Sequence, residues 1–181
     1  FTATDLSGNI GQSQATVTVT DQTAPVITLI GASTITLTVG DIFSDPGSSV
    51  ADNVDVGLSV TPTGSVNTAV VGTYTLTYTI SDAAGNAALT VIRSVVVEDN
   101  AAPVVTAPAN ITVAATNAGG TAATQTAIAA FLNAASALDA VDGLRTVSND
   151  APAVFPLNLT TVTFTATDLS GNIGQSQATV T

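Results

Sequence analysis

The chain contains no cysteine, histidine, lysine, methionine or tryptophan. Without cysteine it can form neither a disulfide nor a thiolate metal site. Without histidine, cysteine and lysine it also lacks the usual general base, thiol nucleophile and Schiff-base amine, so only carboxylates could perform acid–base chemistry. We therefore predict that the chain is not an enzyme.

Positive charge and long apolar runs are also scarce. The only basic residues are Arg93 and Arg145, against 13 acidic residues, and the formal net charge is -11. Such a chain repels nucleic acid and anionic lipid surfaces. No apolar run approaches the roughly 18 residues of a membrane span, so we expect no membrane insertion in this segment. Since 45% of the residues are apolar, the chain should fold.

Alternating segments predict antiparallel strands with one buried and one hydroxyl-bearing face. The clearest are TYTLTYTIS at 73–81, TVTFTAT at 161–167 and ATVTVT at 15–20, and shorter ones lie at 34–39 and 110–115. Their predicted inward residues are Tyr74, Leu76, Tyr78, Ile80, Val162, Phe164, Ala166, Ala15, Val17 and Val19. The short strands and their turn clusters favour a β-sandwich.

One segment breaks the β pattern. Residues 124–138 are rich in alanine and place Ile128, Phe131 and Leu132 at helical spacing, with Leu138 farther along the same register. This pattern predicts a helix of two to three turns that packs across an edge of the second sandwich. An irregular alanine-rich crossover is the alternative.

Internal similarity defines the predicted domains. Residues 1–18 are identical to residues 164–181, 163 positions later, and YTISDAAGN at 78–86 follows the same formula as FTATDLSGN. The first two of these hairpins are each followed by an Asp-x-x-x-Pro segment, beginning at Asp21 and at Asp99. We predict the closing strand pair of a preceding domain at 1–20, a complete domain at 21–98 and a second at 99–181.

Both predicted domains resemble known families. Residues 22–98 resemble a bacterial immunoglobulin-like domain of surface proteins through APVITLIG, ITLTVGDIFSDPG, ADNVD, GTYTLTYTISDAAGN and VVVED. Residues 100–181 resemble the hyalin-repeat type of immunoglobulin-like module through APVVTAPANITV, ALDAVDGL and VFPLNLTTVTFTATDLSGN. The resemblance implies tandem immunoglobulin-like antiparallel β-sandwiches, the second with a short helix, in a large extracellular or cell-surface protein.

Departures from the family patterns are few. The cysteine pair usual in animal hyalin repeats is absent, and Asn158 stands where a glycine is usual. Val56 and Gly57 stand where the bacterial family often has glycine and a second acid, which removes one potential metal ligand.

The acidic residues are the candidate functional groups. In an immunoglobulin-like sandwich the first strand's start and three connecting loops gather at the N-terminal pole. At this pole of the first domain we expect Asp21, Asp52, Asn53, Asp55, Asp82 and Asn86. In the second domain we expect Asp99, Asn100, Asp139, Asp142, Asp168 and Asn172 there. Both poles are expected to face the junction with the preceding domain.

Two interpretations of these acids remain open. Clustered carboxylates repel one another, and Ca²⁺ takes six to eight oxygen ligands from such loops, so the poles are predicted to hold structural Ca²⁺ that stiffens the joints. Alternatively, each acid forms an Asx-turn, with glycine and asparagine of the hairpin at positive φ, or is simply solvated. For Asp41 and Asp45, in another loop, we predict turns.

The favoured function is a structural repeat unit of an extracellular adhesin-like stalk or filament that acts as a stiff spacer. Its expected partners are neighbouring repeats of the same protein or identical chains in a filament. One alternative is a self-assembling fibre subunit that exchanges its terminal strands between chains. Another is a glycan-binding accessory module, although most of the seven aromatic residues are predicted to be buried. A two-carboxylate glycosidase meets the same objection, because such a cleft needs aromatic platforms.

Overall fold

The computed structural model describes all residues, Phe1–Thr181, and contains fifteen short β-strands and one helix. The elements are β1 (Thr2–Thr4), β2 (Ile10–Gln12), β3 (Val26–Leu29), β4 (Thr34–Thr38), β5 (Ser48–Ala51), β6 (Gly72–Tyr78), β7 (Val91–Glu98), β8 (Val104–Thr106), β9 (Thr121–Ala122), α1 (Thr126–Leu132), β10 (Ser136–Asp139), β11 (Gly143–Arg145), β12 (Val147–Asn149), β13 (Val154–Phe155), β14 (Thr160–Thr167) and β15 (Ile173–Val180). The prediction of an all-β fold with antiparallel sheets and one short helix is confirmed.

The strands form six small sheets. Three have three strands, in the orders β4-β7-β6, β11-β10-β8 and β12-β14-β15, and three are pairs, β1-β2, β3-β5 and β13-β9. No helix has the length and apolarity that crossing a membrane requires.

The chain divides into two compact units. Unit 1 comprises Phe1–Ile35, Ser44–Val66 and Tyr74–Val95, and unit 2 comprises Thr36–Phe43, Asn67–Thr73 and Val96–Thr181. The domain boundaries at 20/21 and 98/99 remain a prediction.

The core of unit 1 contains a charged side chain. Alternation buries Leu76 and Tyr78 on β6, as predicted, with Ile27 and Val95 also buried. On the inward face of β7, however, lies Arg93, which is fully buried. Its guanidinium forms a salt bridge with Asp45 at 2.9 Å, and the Tyr78 hydroxyl donates to the same carboxylate at 2.7 Å.

Nε of Arg93 also donates to the Tyr78 hydroxyl oxygen at 3.2 Å, and backbone carbonyls accept its other hydrogen bonds. They belong to Ala32, Ile30 and Gly47. The prediction that Asp45 is a turn residue is therefore wrong, because its carboxylate neutralises a buried cation. Asp41 does accept a turn hydrogen bond from the Thr38 amide, at 2.7 Å.

The core of unit 2 lies under β14 and β15. Val162, Phe164 and Ala166 are buried, as their alternation predicts, and the Phe164 ring meets the Phe131 ring edge-on at 5.7 Å. Phe131 comes from α1, whose first turn is capped by the Gln125 side chain. The helical prediction is confirmed for Ile128 and Phe131, both buried.

Leu138 does not continue the register of α1. It lies in β10, where the two-residue period directs Ala137 inward and leaves Leu138 58% exposed. The predicted strand at 110–115 is reduced to a single parallel bridge between Ile111 and Val180.

Asn158 has a φ of 81°, the left-handed conformation that glycine adopts most readily, which explains why glycine is usual at this position.

The duplicated segment adopts two structures. In residues 164–181 it forms a hairpin of eight paired positions on each strand, with Ala178 and Val180 buried. In residues 1–18 the same register persists for only three pairs, from Thr2 with Gln12 to Thr4 with Ile10. Residues 13–20 form no strand, and all of residues 1–20 are exposed, so the predicted strand at 15–20 is wrong. An alternating strand needs a core to cover its apolar face.

The duplication provides a matched test of packing. A Cβ added to Gly174 would collide with the Pro103 carbonyl oxygen, whereas one added to the equivalent Gly11 would meet only the Ala3 carbonyl oxygen, at 3.9 Å. We expect Gly174→Ala to lower the free energy of unfolding by about 1–3 kcal/mol, because overpacking displaces backbone. Gly11→Ala should change it by less than about 0.5 kcal/mol. Equal effects in urea denaturation would contradict this packing.

Candidate metal centres

Each unit contains one group of three carboxylates, and two members of each group occupy equivalent positions. Cluster I consists of Asp21, Asp52 and Asp82, and cluster II of Asp99, Asp139 and Asp142. Within each cluster, one carboxylate oxygen of every residue lies within 4.8 Å of those of the other two. The predicted convergence of distant acids is therefore present in both units.

In cluster I, two carboxylates each divide their oxygens between two roles. Asp52 accepts hydrogen bonds from the Val54 and Asp55 amides with Oδ2, both at 2.9 Å, and Asp21 accepts one from the Thr23 amide with Oδ1 at 3.0 Å. The other oxygen of each, Oδ1 of Asp52 and Oδ2 of Asp21, is shielded from solvent and has no hydrogen-bond partner. One oxygen of each carboxylate therefore accepts the hydrogen bonds of its loop, and the other has no hydrogen-bond partner.

Cluster II repeats this division of roles. Asp139 accepts from the Val141 and Asp142 amides with Oδ1 at 2.8 Å, and Asp99 accepts from the Ala101 amide with Oδ1 at 3.0 Å. Oδ2 of both residues is buried without a partner. The turn interpretation and the ligand interpretation are therefore compatible, since each uses a different oxygen of the same carboxylate.

A second acid in each loop ties the loop to the neighbouring hairpin. Oδ2 of Asp55 accepts a hydrogen bond from the Ala83 amide at 2.7 Å, and Oδ2 of Asp142 accepts the equivalent bond from the Leu169 amide at 2.6 Å. These bonds fix where each loop ends relative to the hairpin beside it, and they hold the loop carboxylates in place.

The hairpin carboxylates are held by asparagine. Asp82 accepts from the Asn86 amide and side chain, both at 2.7 Å, and Asp168 accepts from Asn172 in the same way. The asparagine side chains also donate to the carbonyls of Asp21 and Asp99, at 3.3 and 3.0 Å. Each hairpin is thereby linked to the linker residue of its own cluster.

Backbone conformation partly matches the predicted turn. Gly85 and Gly171 have φ angles of 92° and 94°, as expected. Asn86 and Asn172 do not have positive φ, so that part of the prediction is wrong.

Hydrogen bonding keeps the hairpin acids ionised. Burial raises the pKa of Asp82, but hydrogen bonds from Asn86 and from the amides of Gly85 and Ala84 outweigh it, and the pKa lies below its ordinary value. The same balance lowers the pKa of Asp168, through Asn172, Gly171 and Ser170.

Some predicted ligands lie outside the clusters. Asn53 is exposed, and the Asn100 side chain donates to the Thr38 hydroxyl at 3.3 Å. Asp168 is not among the three grouped carboxylates of cluster II, unlike its counterpart Asp82 in cluster I. A metal-binding role for any of the twelve acids and amides remains a prediction.

No basic side chain neutralises either cluster. Arg93 pairs with Asp45, and Arg145 donates to the Thr167 carbonyl at 3.4 Å. One further acid belongs to the surroundings of cluster II, since Glu98 lines a surface pocket together with Asp99, Ser170 and Asn172. Sequence reasoning missed Glu98, although its position directly before Asp99 was a usable signal.

The small antiparallel sheets are those expected of immunoglobulin-like β-sandwiches, and comparison with known proteins shows what the chain resembles. Residues 27–97 match the family model described as bacterial surface protein, Ig-like domain. Over 193 aligned residues the chain is 34% identical to hyalin from Strongylocentrotus purpuratus, covering 99% of this chain. The chain spans 15% of the length of hyalin. The lipoprotein BT2262 from Bacteroides thetaiotaomicron, a solved structure, aligns with a TM-score of 0.38 at 18% identity, over 84% of this chain and 98% of that one.

Residues 27–97 therefore match the bacterial surface Ig-like family and the whole chain is similar to hyalin, which together support an immunoglobulin-like module of a surface protein. Its location is extracellular or at the cell surface.

Proposed function

We propose that the chain is a structural repeat unit of an extracellular adhesin-like stalk, a non-catalytic stiff spacer whose two acidic clusters bind Ca²⁺. The observation that carries the proposal is the set of four carboxylate oxygens, two in each cluster, that are shielded from solvent without a hydrogen-bond partner. A buried carboxylate without a partner is costly, and neighbouring carboxylates add repulsion. A divalent cation removes both costs at once.

The chemistry of the clusters suits Ca²⁺ among divalent cations. All the candidate ligands are oxygens, and the loops offer no sulfur or imidazole, which zinc and copper prefer. Ca²⁺ accepts irregular arrangements of six to eight oxygens from carboxylates, carbonyls and water. Extracellular calcium modules bind with Kd values of roughly 10⁻⁴ to 10⁻³ M, a range that suits the location of this chain.

A cation in cluster II would restrain the linker between the predicted domains. Asp99 follows directly on Glu98, the last residue of β7, while Asp139 and Asp142 lie at the end of β10 and in the turn that follows it. A cation shared by Asp99 and this loop would fasten the first residue after β7 to the next domain's loop. This is how calcium would convert a flexible joint into a stiff one.

The distribution of aromatic side chains favours a spacer over a glycan-binding module. Tyr78, Phe131, Phe155 and Phe164 are buried, and Phe1 is the most exposed of the seven aromatic residues. The surface therefore offers few aromatic platforms on which a sugar ring could stack.

Calcium is expected to raise the melting temperature of the 181-residue chain. At a free Ca²⁺ concentration of about 100 times Kd, binding stabilises the folded state by about 2.7 kcal/mol per site. For a domain of about 80 residues that holds one site, this stabilisation corresponds to a rise in melting temperature of about 10 °C or more. Thermal denaturation followed by circular dichroism, between about 0.01 and 10 mM Ca²⁺, measures the effect.

The control for this experiment is Asp41→Asn, which removes one acid from a turn outside both clusters. It should respond to calcium like the unaltered chain, and EDTA should reverse the rise in both. Equal melting temperatures in Ca²⁺ and in EDTA would contradict the assignment of calcium to the two clusters. With calcium, ¹⁵N relaxation should also report slower motion of the linker at Asp99.

A further inference from the structure

We propose that the two clusters bind calcium in a fixed order, with cluster II as the tighter site that fills first and cluster I as the weaker site. The inference rests on the calcium binding proposed above and assigns each cluster a place in the response to calcium. It follows from differences in burial, in the third carboxylate and in local charge between the two clusters.

The first difference is burial. Asp99 and Asp139 of cluster II are 5% and 3% exposed, whereas their counterparts in cluster I, Asp21 and Asp52, are only half-buried. The unpartnered oxygens are otherwise alike, one on each residue. Water solvates the half-buried carboxylates of cluster I in part, whereas those of cluster II have lost nearly all of their hydration. A bound cation therefore offsets a larger desolvation free energy in cluster II.

The second difference lies in which residue supplies the third carboxylate, since Asp82 does so in cluster I and Asp142, the counterpart of Asp55, does so in cluster II. In cluster I both oxygens of Asp82 already accept hydrogen bonds from Asn86, at 2.7 Å each. In cluster II Asp142 accepts one such bond, from Leu169, on Oδ2. A carboxylate with one oxygen unengaged offers more lone pairs to a cation, and the number and charge of the ligands tune calcium affinity.

The third difference is the local charge. Glu98 precedes Asp99 and lines the same surface pocket, whereas Thr20 precedes Asp21. The additional carboxylate makes the field at cluster II more negative, and no basic side chain offsets it. Falling calcium would therefore empty cluster I first and leave cluster II, next to the linker, occupied longest.

Site-resolved titration can test this order. The amides of Val54 and Val141 donate to the Asp52 and Asp139 carboxylates, and each reports on its own cluster through its ¹H–¹⁵N chemical shift. In the unaltered chain we expect the Val141 signal to saturate at a calcium concentration lower by about tenfold than the Val54 signal. The size of the chain, 17.8 kDa, suits this measurement.

Equivalent substitutions provide matched controls. Asp139→Asn should abolish the high-affinity response at Val141 and leave the response at Val54, whereas Asp52→Asn should do the reverse. Should Asp139→Asn fail to fold, as judged by its spectrum, Asp99→Asn removes the other unpartnered carboxylate of cluster II and tests the same point.

The outcomes separate the two proposals. Saturation of Val54 before Val141, or of both together, would overturn the order while leaving calcium binding intact. Absence of any calcium-dependent shift at either amide would overturn calcium binding itself, and the order with it.

Discussion

Substitution of Arg93 by alanine is expected to lower the free energy of unfolding by about 3–5 kcal/mol, since it leaves a carboxylate without its cation in the interior. Arg93 is fully buried and forms the salt bridge with Asp45. Its guanidinium also satisfies the carbonyls of Ile30, Ala32 and Gly47. Alanine would remove a donor from each of these four acceptors and open a cavity in the core of unit 1, although Gly47 keeps the Ile30 amide and Asp45 keeps the Tyr78 hydroxyl as donors.

Urea denaturation of the 181-residue chain measures the loss, and hydrogen exchange locates it. Protection should fall in β3 and β5, while β14 and β15 keep theirs. Arg145→Ala is the matched control, because Arg145 is only half-buried and donates one long hydrogen bond of 3.4 Å, so less than about 0.5 kcal/mol should be lost. Similar effects for the two arginines would show that the buried network contributes little.

A double substitution separates the charge from the cavity. Arg93→Met together with Asp45→Leu removes both charges while retaining apolar volume, so it should be less destabilising than Arg93→Ala alone. It should not restore full stability, because the carbonyls of Ile30 and Ala32 would still lack their Arg93 donor. Recovery beyond the unaltered chain would mean that those carbonyls find other partners.

Local alternation made the positions of β4, β6 and β14 predictable. In β6 and β14 threonines alternate with apolar residues, and the burial of Leu76, Tyr78 and Phe164 follows from that pattern alone. The same rule does not predict that Arg93 lies inward, since a charged residue at an inward position is expected only when its partner is known. That partner, Asp45, lies 48 positions away in the sequence and was predicted to belong to a turn.

The candidate sites were predictable in outline and not in detail. Loop convergence at the pole of a sandwich placed Asp21, Asp52 and Asp82 together, which cluster I bears out as a grouping. The sequence could not show which oxygen of Asp52 holds its turn and which lacks a partner. Nor could it show that Asn172 donates hydrogen bonds to both oxygens of Asp168. The hydrogen bonds of Asp52 and of Asp168 alike depend on side-chain rotamers that the fold fixes.

The duplicated segment separates what a sequence encodes locally from what its surroundings supply. The turn at Asp5 and Asn9 reproduces that at Asp168 and Asn172, with the same hydrogen bonds from asparagine to aspartate. The hairpin turn is therefore encoded by the five residues themselves. The long strands on either side are not, since they form only where a core covers their apolar face.

Phe164→Ala should consequently lower the free energy of unfolding by about 3–5 kcal/mol, while Phe1→Ala, in an identical sequence, should leave it unchanged within about 0.5 kcal/mol. Phe164 is fully buried against Phe131, and Phe1 is 90% exposed. Urea denaturation of both variants and of the double variant measures the effects. The double variant should match Phe164→Ala, because distant substitutions are additive.

The comparison also tests whether residues 1–20 have a partner in solution. The measurements should be repeated over a range of protein concentrations, because the fraction of chains associated with one another rises with concentration. An effect of Phe1→Ala that grows with concentration would show that this hairpin packs against a second copy, as strand exchange in a fibre requires. An effect that stays near zero at every concentration would mean that Phe1 contributes no packing energy, and the exchange model would lose the aromatic anchor on which it depends.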